Sequence, residues 1–236
     1  MSRPVLITCE HAVATVPLAF QMPFEGQQEL LQSHWAYDPG ARETARELAS
    51  GLGIEAPLEG ECTRLLIDLN RSLHHRQVFS DYAPPAGDPR RALLVARYVT
   101  YRQRVARRLK QLLEDHPRVV HFSVHSFTPV LDGKVRRADI GLLYDPSRTA
   151  EQELCHAIRH RIGRSYQVKM NHPYRGVADG LTRALRREFG PCYLGIELEL
   201  NHLTYFDDLA AWGALRATLV NAVCGTIRSY FPMDQS

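Results

Sequence analysis

The sequence lacks the features of several protein classes. Its five cysteines form no Cys-x-x-Cys pair, it has no long run of one charge sign, and no apolar run approaches the ~20 residues that a transmembrane helix needs. Dispersed cysteines are typical of free thiols in a reducing cytosol. With 29 basic and 26 acidic residues, the formal charge is only +3. We therefore expect a protein that binds neither nucleic acids nor membranes.

Segments that would precede or divide a domain are also missing. Only four residues precede the first apolar run, which begins at Val5, so we expect no signal peptide and a cytoplasmic location. The chain has no low-complexity tract, internal repeat or linker. Its 44% of hydrophobic residues can supply a sizeable core. We expect one domain over residues 1–236, as a monomer or a small homo-oligomer.

Strand and helix patterns alternate along the chain. Short apolar runs predict strands over residues 5–9, 54–58, 63–72, 119–127, 138–144 and 193–200. Apolar residues spaced three and four apart predict helices over residues 39–52, 89–114, 150–162, 181–189 and 209–227. This alternation predicts an α/β fold, with a mostly parallel or mixed sheet and helices on both faces.

Polar side chains gather where four of the predicted strands end. These groups are Glu10-His11, Asp68 with Asn70 and Arg71, His125, and Glu197 with Glu199. In an α/β sheet such ends can meet at one crevice. Two histidines and one carboxylate can form a three-ligand zinc site with an open position for water. The chain has neither a serine nucleophile elbow nor a Gly-rich phosphate loop, so the pattern favours a metal-assisted hydrolase.

Several of these residues also have a purely structural interpretation. Asp38 precedes Pro39 and a helical pattern, so it can be the N-cap of that helix. Asp68 and Arg71 can form an ion pair with each other, and His125 can simply be hydrogen-bonded at a strand end. These alternatives stay open from the residues alone.

The order of motifs resembles the N-formylglutamate amidohydrolase family. The resemblance lies in LITCEHA at 6–12, DPGA at 38–41, RLLIDLNRS at 64–72, VHSFTP at 124–129, DIGLLY at 139–144, Asn171 with YRG at 174–176, and GIELELN at 195–201. A more distant similarity is to the zinc carboxypeptidases, which have a histidine, an Asp-x-Asn-Arg stretch, a His-Ser-aromatic stretch and a late glutamate in this order. The resemblance implies a three-layer α/β fold, zinc-carboxypeptidase-like or phosphorylase/hydrolase-like, with a twisted mixed sheet of about eight strands. It also implies Zn²⁺ and hydrolysis of an amide.

The resemblance also implies roles for individual residues. They are His11, Asp38 and His125 as metal ligands, Glu199 or Glu197 as general base, and Asn70, Arg71, Arg175 and Ser126 for substrate binding. Arg175 can equally be a surface arginine of its loop. The carboxypeptidase pattern has a glutamate three residues after the first histidine, where this chain has Ala14. The carboxylate ligand is therefore expected to be Asp38, with Glu10 as the second candidate.

The expected substrate is a small N-acyl amino acid, with N-formyl-L-glutamate first, giving formate and free L-glutamate. One alternative is a carboxypeptidase-like metallopeptidase or a peptide-fragment amidase. The other is a non-catalytic relative that only binds a small molecule, which the alanine at position 14 would favour.

Overall fold

A six-stranded sheet forms the centre of the computed structural model, which describes residues 3–232. The strands are β1 (Val5–Cys9), β2 (Leu58–Glu59), β3 (Val119–Phe127), β4 (Val130–Leu131), β5 (Lys134–Val135), β6 (Ile140–Leu143), β7 (Val168–Met170) and β8 (Tyr193–Asn201). The order in the large sheet is β2-β1-β3-β8-β6-β7, and β4 and β5 form a separate hairpin. Only the β6–β8 pair of the large sheet is antiparallel, so the sheet is mixed, as predicted.

Helices cover both faces of this sheet. They are α1 (Gln28–Leu31), α2 (Ala41–Leu52), α3 (Arg90–Asp115), α4 (Thr149–Ile162), α5 (Leu181–Phe189) and α6 (Leu209–Tyr230). Apolar residues of α2, α4 and α6 share one core with the sheet, and those of α3 and α5 share another. The three-layer α/β prediction is therefore confirmed. Among residues 3–232, no helix is long and apolar enough to cross a membrane.

The strand predicted over residues 63–72 is wrong, because this segment forms successive turns. The carboxylate of Asp68 accepts hydrogen bonds from the backbone N–H groups of Asn70, at 2.9 Å, and Arg71, at 3.3 Å. An aspartate that bonds its own backbone two residues on offers an alternative to a sheet ladder. The large sheet has six strands rather than the eight or so that the resemblance implied, and β4 and β5 lie outside it.

The structure excludes the alternative interpretation of Asp38 as a helix N-cap. Helix α2 begins at Ala41, and its N-cap is Gly40, with a φ of 75°. Glycine adopts this left-handed conformation without strain, and a Cβ at this position would clash with the indole of Trp212. The carboxylate of Asp38 is consequently free to point away from the helix and towards the sheet edge.

Candidate metal centre and active site

Three neighbouring strands bring the predicted site residues to one edge of the sheet. β3 pairs in parallel with β1 and with β8, so the carboxyl ends of all three strands meet there. His11 follows β1 by two residues, His125 lies near the end of β3, and Glu199 is its register partner in β8. The carboxyl ends of such strands are where open α/β sheets place their ligands.

His11, Asp38 and His125 form a buried cluster that could hold a metal ion. One potential ligand atom of each lies within 4.8 Å of the other two. Oδ2 of Asp38 is 3.2 Å from Nδ1 of His11 and 2.8 Å from Nδ1 of His125. Two imidazole nitrogens and one carboxylate oxygen are the donor set of an open zinc site.

A second layer of carboxylates orients both histidines. Nε2 of His11 lies 2.8 Å from Oδ1 of Asp68, and Nε2 of His125 lies 3.0 Å from Oε2 of Glu10. A carboxylate accepts the proton on Nε2, which leaves the lone pair of each ring on Nδ1. The two Nδ1 atoms and Oδ2 of Asp38 are then three acceptors that face each other. A cation between them satisfies all three, so these residues fit a metal ion.

The local electrostatics also favour a cation. Burial disfavours the imidazolium form of His125, but hydrogen bonds to Asp38 and Glu10 outweigh this effect and raise the pKa of His125 well above its ordinary range. Burial likewise opposes ionisation of Asp38, but His11 and His125 hold the pKa of this carboxyl well below its usual range. In the metal-free protein, positive charge on the histidines therefore balances the carboxylates, and a bound cation would take the place of those protons.

Glu10, the second candidate for the carboxylate ligand, has another place in the structure. Its fully buried carboxylate accepts hydrogen bonds from Tyr101 Oη, at 2.8 Å, and Ser123 Oγ, at 2.5 Å. It faces Nε2 of His125, on the side of the ring away from Asp38. The geometry therefore places Asp38 among the potential ligands and Glu10 behind His125.

Glu199 and Glu197 have different surroundings. The side chain of Glu199 is buried, and its Oε2 has no hydrogen-bond partner among residues 3–232. Burial raises the pKa of Glu199 to about 8, although the nearby His125 opposes this change. Glu197 is less buried, and its carboxylate accepts a hydrogen bond from the hydroxyl of Thr182. Glu199 is therefore the glutamate with an uncommitted oxygen beside the cluster.

A cavity of about 100 Å³ adjoins the cluster. Its lining residues are His11, Arg64, Asp68, Asn70, Arg71, His125, Tyr174, Arg175, Ala178, Asp179, Glu197 and Glu199. Four larger cavities, of about 660, 550, 340 and 190 Å³, lie elsewhere and contain none of the cluster residues. The small cavity is the candidate site, because it combines the two histidines with the unbonded oxygen of Glu199.

Arg64 is a site residue that the sequence patterns did not single out. Its guanidinium donates to Oδ1 of Asp38, at 3.0 Å, and to Oδ2 of Asp68, at 2.9 Å. It therefore connects a potential ligand to the carboxylate that orients His11, and it also lines the cavity. The spacing of four residues between Arg64 and Asp68 could have indicated this ion pair. The prediction of a strand over this segment excluded it, because the two side chains meet only when the chain turns.

Asn70 and Arg71 are both at the cavity. The carboxylate of Asp68 bonds His11 and Arg64, so the alternative ion pair between Asp68 and Arg71 does not form. Within residues 3–232 the guanidinium of Arg71 makes no hydrogen bond or ion pair. Asn70 accepts the backbone N–H of Leu181 at 2.7 Å, which fixes its side chain at the start of α5.

Arg175 reaches the cavity on a loop that is held at both ends. Oδ1 of Asn171 accepts the backbone N–H groups of Tyr144, at 3.2 Å, and Gly176, at 2.9 Å. Between these anchors the exposed side chain of Arg175 lines the cavity.

Ser126, which the resemblance assigned to substrate binding, does not line this cavity. It follows His125 in β3, strand alternation directs it to the other face, and it is absent from the cavity lining.

The comparisons with known proteins agree with this fold. The crystal structure of gene product Atu2144 from Agrobacterium tumefaciens superposes with a TM-score of 0.77 at 29% identity, covering 96% of this chain and 90% of that one. The N-formylglutamate amidohydrolase of Ralstonia eutropha JMP134 gives a TM-score of 0.68 at 16% identity, covering 97% and 94%. No curated protein matches the chain in sequence. The family model for N-formylglutamate amidohydrolase matches residues 3–206, and the chain therefore belongs to that amidohydrolase family.

Proposed function

We propose that this protein is a zinc-dependent amidohydrolase that cleaves an N-acyl amino acid, with N-formyl-L-glutamate as the first expected substrate. The observation that carries the proposal is the convergence of His11, Asp38 and His125 beside the unbonded carboxylate oxygen of Glu199. Membership of an amidohydrolase family supports the reaction type. The products would be formate and L-glutamate.

The three clustered side chains would hold the zinc ion. When bound, zinc acts as a Lewis acid on the scissile carbonyl and lowers the pKa of a water ligand to ~7. His11 and His125 would bind through Nδ1, because Asp68 and Glu10 occupy the Nε2 atoms. The carboxylate on each histidine makes the ring a more basic ligand and fixes its orientation.

Glu199 would act as the general base. Glu199 lines the cavity, one of its carboxylate oxygens has no hydrogen-bond partner within residues 3–232, and its strand position is directly opposite His125. In its ionised form it accepts the proton of the attacking water and then passes it to the leaving nitrogen. Glu197 is the alternative base, but its hydrogen bond to Thr182 already occupies one oxygen.

Two arginines would bind the amino-acid part of the substrate. The unpaired guanidinium of Arg71 matches one carboxylate with two parallel hydrogen bonds, and Asn70 lies beside it. Arg175, across the cavity, would bind a second carboxylate, which suits glutamate. Arg64 faces the same cavity and can stabilise the negative charge that develops on the carbonyl oxygen.

The two alternative functions have less support. A cavity of about 100 Å³ suits a small N-acyl amino acid better than a peptide, which needs an open groove. A non-catalytic relative was favoured by Ala14, which replaces the expected ligand glutamate. Asp38 supplies a carboxylate to the cluster from another part of the chain, so Ala14 does not leave the donor set incomplete.

The experiment measures metal content and turnover together. Purified protein should contain about one equivalent of zinc and release formate from N-formyl-L-glutamate, and a chelator should abolish the activity until zinc is restored. His125→Ala should lose both zinc and activity, whereas His156→Ala, which changes an exposed histidine of α4, should keep both. The proposal fails if the His125→Ala protein binds zinc as tightly as the parent, or if zinc restores no hydrolysis of N-formyl or N-acetyl amino acids.

A further inference from the structure

A pair of histidines outside the cavity connects the two segments that carry Asp38 and Glu199. The rings of His34 and His202 have centroids 5.7 Å apart. His34 lies four residues before Asp38, and His202 lies three residues after Glu199. Both segments are at the carboxyl edge of the sheet, the edge that holds the metal cluster.

His202 has a polar atom that the described protein does not satisfy. The residue is 4% exposed, and its buried Nδ1 has no hydrogen-bond partner within residues 3–232. Leaving such an atom unpaired in a buried position is unfavourable. Burial also lowers the pKa of His202 to about 4, so the ring is neutral at pH 7 and carries one N–H donor. An anionic ligand would accept this donor.

Arg136 adds an unpaired positive charge to the same region. Its backbone carbonyl accepts Nδ2 of Asn201 at 3.1 Å, which places it beside the residue that precedes His202. The residue is partly buried, and within residues 3–232 the only hydrogen bond of its guanidinium is to Oη of Tyr174, at 3.1 Å, with the guanidinium carbon 5.1 Å from the centroid of the same ring. No carboxylate in the described part of the chain lies within 4.0 Å of it. Its charge is also close enough to help lower the pKa of His34.

Tyr174 connects Arg136 to the cavity. It lines the cavity together with Arg71 and Glu199, and its Oη accepts a hydrogen bond from the guanidinium of Arg136. The guanidinium therefore lies next to the cavity wall. A longer acyl group, on an amide bound at Glu199 with its amino-acid carboxylate on Arg71, can extend past Tyr174 to this guanidinium.

Exposed aromatic rings flank the histidine pair. Trp35 contacts His34 with a centroid distance of 4.9 Å and a tilt of 34° between the rings, and Phe206 lies edge-on to His202 at 6.1 Å. Trp35 is 55% exposed and Phe206 is 58% exposed. They provide apolar surface for the methylene groups of a short chain, beside polar groups that suit its charged end.

We propose that Arg136, His34 and His202 form a second carboxylate subsite, which binds the end of an acyl group longer than formyl, such as succinyl. The inference rests on the proposed function, because it assumes that the amide is bound at Glu199. The guanidinium fork would bind the carboxylate, and each neutral imidazole would donate one further hydrogen bond. The added activity would be hydrolysis of N-succinyl-L-glutamate: water adds hydroxide to the acyl carbon and a proton to nitrogen, and the C–N bond breaks to give succinate and L-glutamate.

The decisive test compares two substrates that differ at the end of the acyl chain. N-succinyl-L-glutamate and N-butyryl-L-glutamate have the same carbon count, but only the first has a terminal carboxylate. Arg136→Gln should lower kcat/KM for the succinyl substrate at least tenfold relative to the butyryl substrate. Arg137→Gln, at the exposed neighbouring position, should leave the ratio unchanged. An equal loss on both substrates, or no loss, would overturn the proposal, since Arg136 would then only position Tyr174 or do nothing.

A binding measurement separates this inference from the proposed function. Zinc-loaded parent protein should bind succinate in a calorimetric titration, and Arg136→Gln, His34→Phe and His202→Phe should each weaken binding at least fivefold. The phenylalanine variants keep a ring at each position, so they report on hydrogen bonding even if the arginine variant does not fold. Weakened succinate binding would support the subsite even if the parent hydrolysed no substrate. A parent that hydrolyses N-formyl-L-glutamate but does not bind succinate would overturn the subsite alone.

Discussion

Oε2 of Glu10 lies 3.0 Å from Nε2 of His125, and both side chains are buried. Burying a carboxylate is unfavourable unless its oxygens are hydrogen-bonded or paired with charge. Here the hydroxyl groups of Ser123 and Tyr101 complete the set of donors. The carboxylate therefore fixes the ring of His125, with Nδ1 directed at Asp38, before any metal binds.

This relationship predicts that Glu10→Gln weakens metal binding without removing a ligand. A carboxamide is a poorer acceptor for the Nε2 proton, and loss of such a supporting carboxylate typically lowers metal affinity ~10–100-fold. Zinc affinity can be measured by competition with a chromophoric chelator. Glu61→Gln, at an exposed position, is the control, and an unchanged affinity in Glu10→Gln would contradict the supporting role.

Asp38→Asn tests the carboxylate of the cluster itself. Because Gly40 is the N-cap of α2, the change should not affect capping, and asparagine caps as well as aspartate in any case. Zinc affinity should fall by more than the ~10–100-fold expected for a supporting residue. Zinc competition and urea unfolding of the metal-free protein measure the two effects. If Asp38→Asn kept the parent affinity, the carboxylate ligand would have to be sought elsewhere.

Glu199→Gln and Glu197→Gln form a matched pair that identifies the general base. Loss of a general base lowers the rate ~10²–10⁴-fold. We expect this loss in kcat for Glu199→Gln with zinc retained, and a much smaller loss for Glu197→Gln, whose carboxylate is bonded to Thr182. Steady-state kinetics and metal analysis of both variants measure these losses. A larger loss in kcat for Glu197→Gln than for Glu199→Gln would assign the general base to Glu197.

The Glu199 carboxyl also makes stability depend on pH. Burial raises its pKa to about 8, above the usual ~4.3, so the folded state takes up a proton between these values. The free energy of unfolding of the metal-free parent should therefore decrease as pH rises from the unfolded pKa to the folded pKa of Glu199. Glu199→Gln has no group to ionise and lacks this decrease. The stability of metal-free Glu199→Gln relative to the parent should therefore increase between about pH 5 and about pH 9. A difference in urea unfolding that stays constant with pH would contradict this.

Arg71→Lys tests recognition of the substrate carboxylate. Lysine keeps the charge but cannot form two parallel hydrogen bonds. The decrease in kcat/KM for an N-acyl amino acid should therefore correspond to roughly 2–4 kcal/mol of lost interaction free energy. Activity on an N-acyl amine without the carboxylate should hardly change, and Arg76→Lys, at an exposed position, should behave as the parent. A variant that unfolds, or that loses activity equally on both substrates, would show that Arg71 has a structural role.

Much of the fold follows from local periodicity. The strand Val119–Phe127 and the helix Leu181–Phe189 lie close to the predicted bounds, because their apolar side chains repeat with periods typical of a strand and a helix. The segment 63–72 misled because its alternating pattern is strand-like, whereas the Asp68 carboxylate bonds its own backbone and turns the chain. Backbone bonding by a side chain does not appear in a hydrophobic pattern.

The residues at the strand ends follow from the sequence in the same way. That His11, His125 and Glu199 lie at one edge of the sheet is implied by strands of similar direction with polar ends. The position of Asp38 beside the two histidines was decided only by the tertiary structure, because its local sequence is typical of a helix cap. The same is true of Glu10 and Asp68, whose hydrogen bonds to the two histidines depend on the register of β1 with β3 and on the turns after residue 63. Local sequence sets which elements form, but contacts between residues 27 to 115 positions apart arise only when those elements pack.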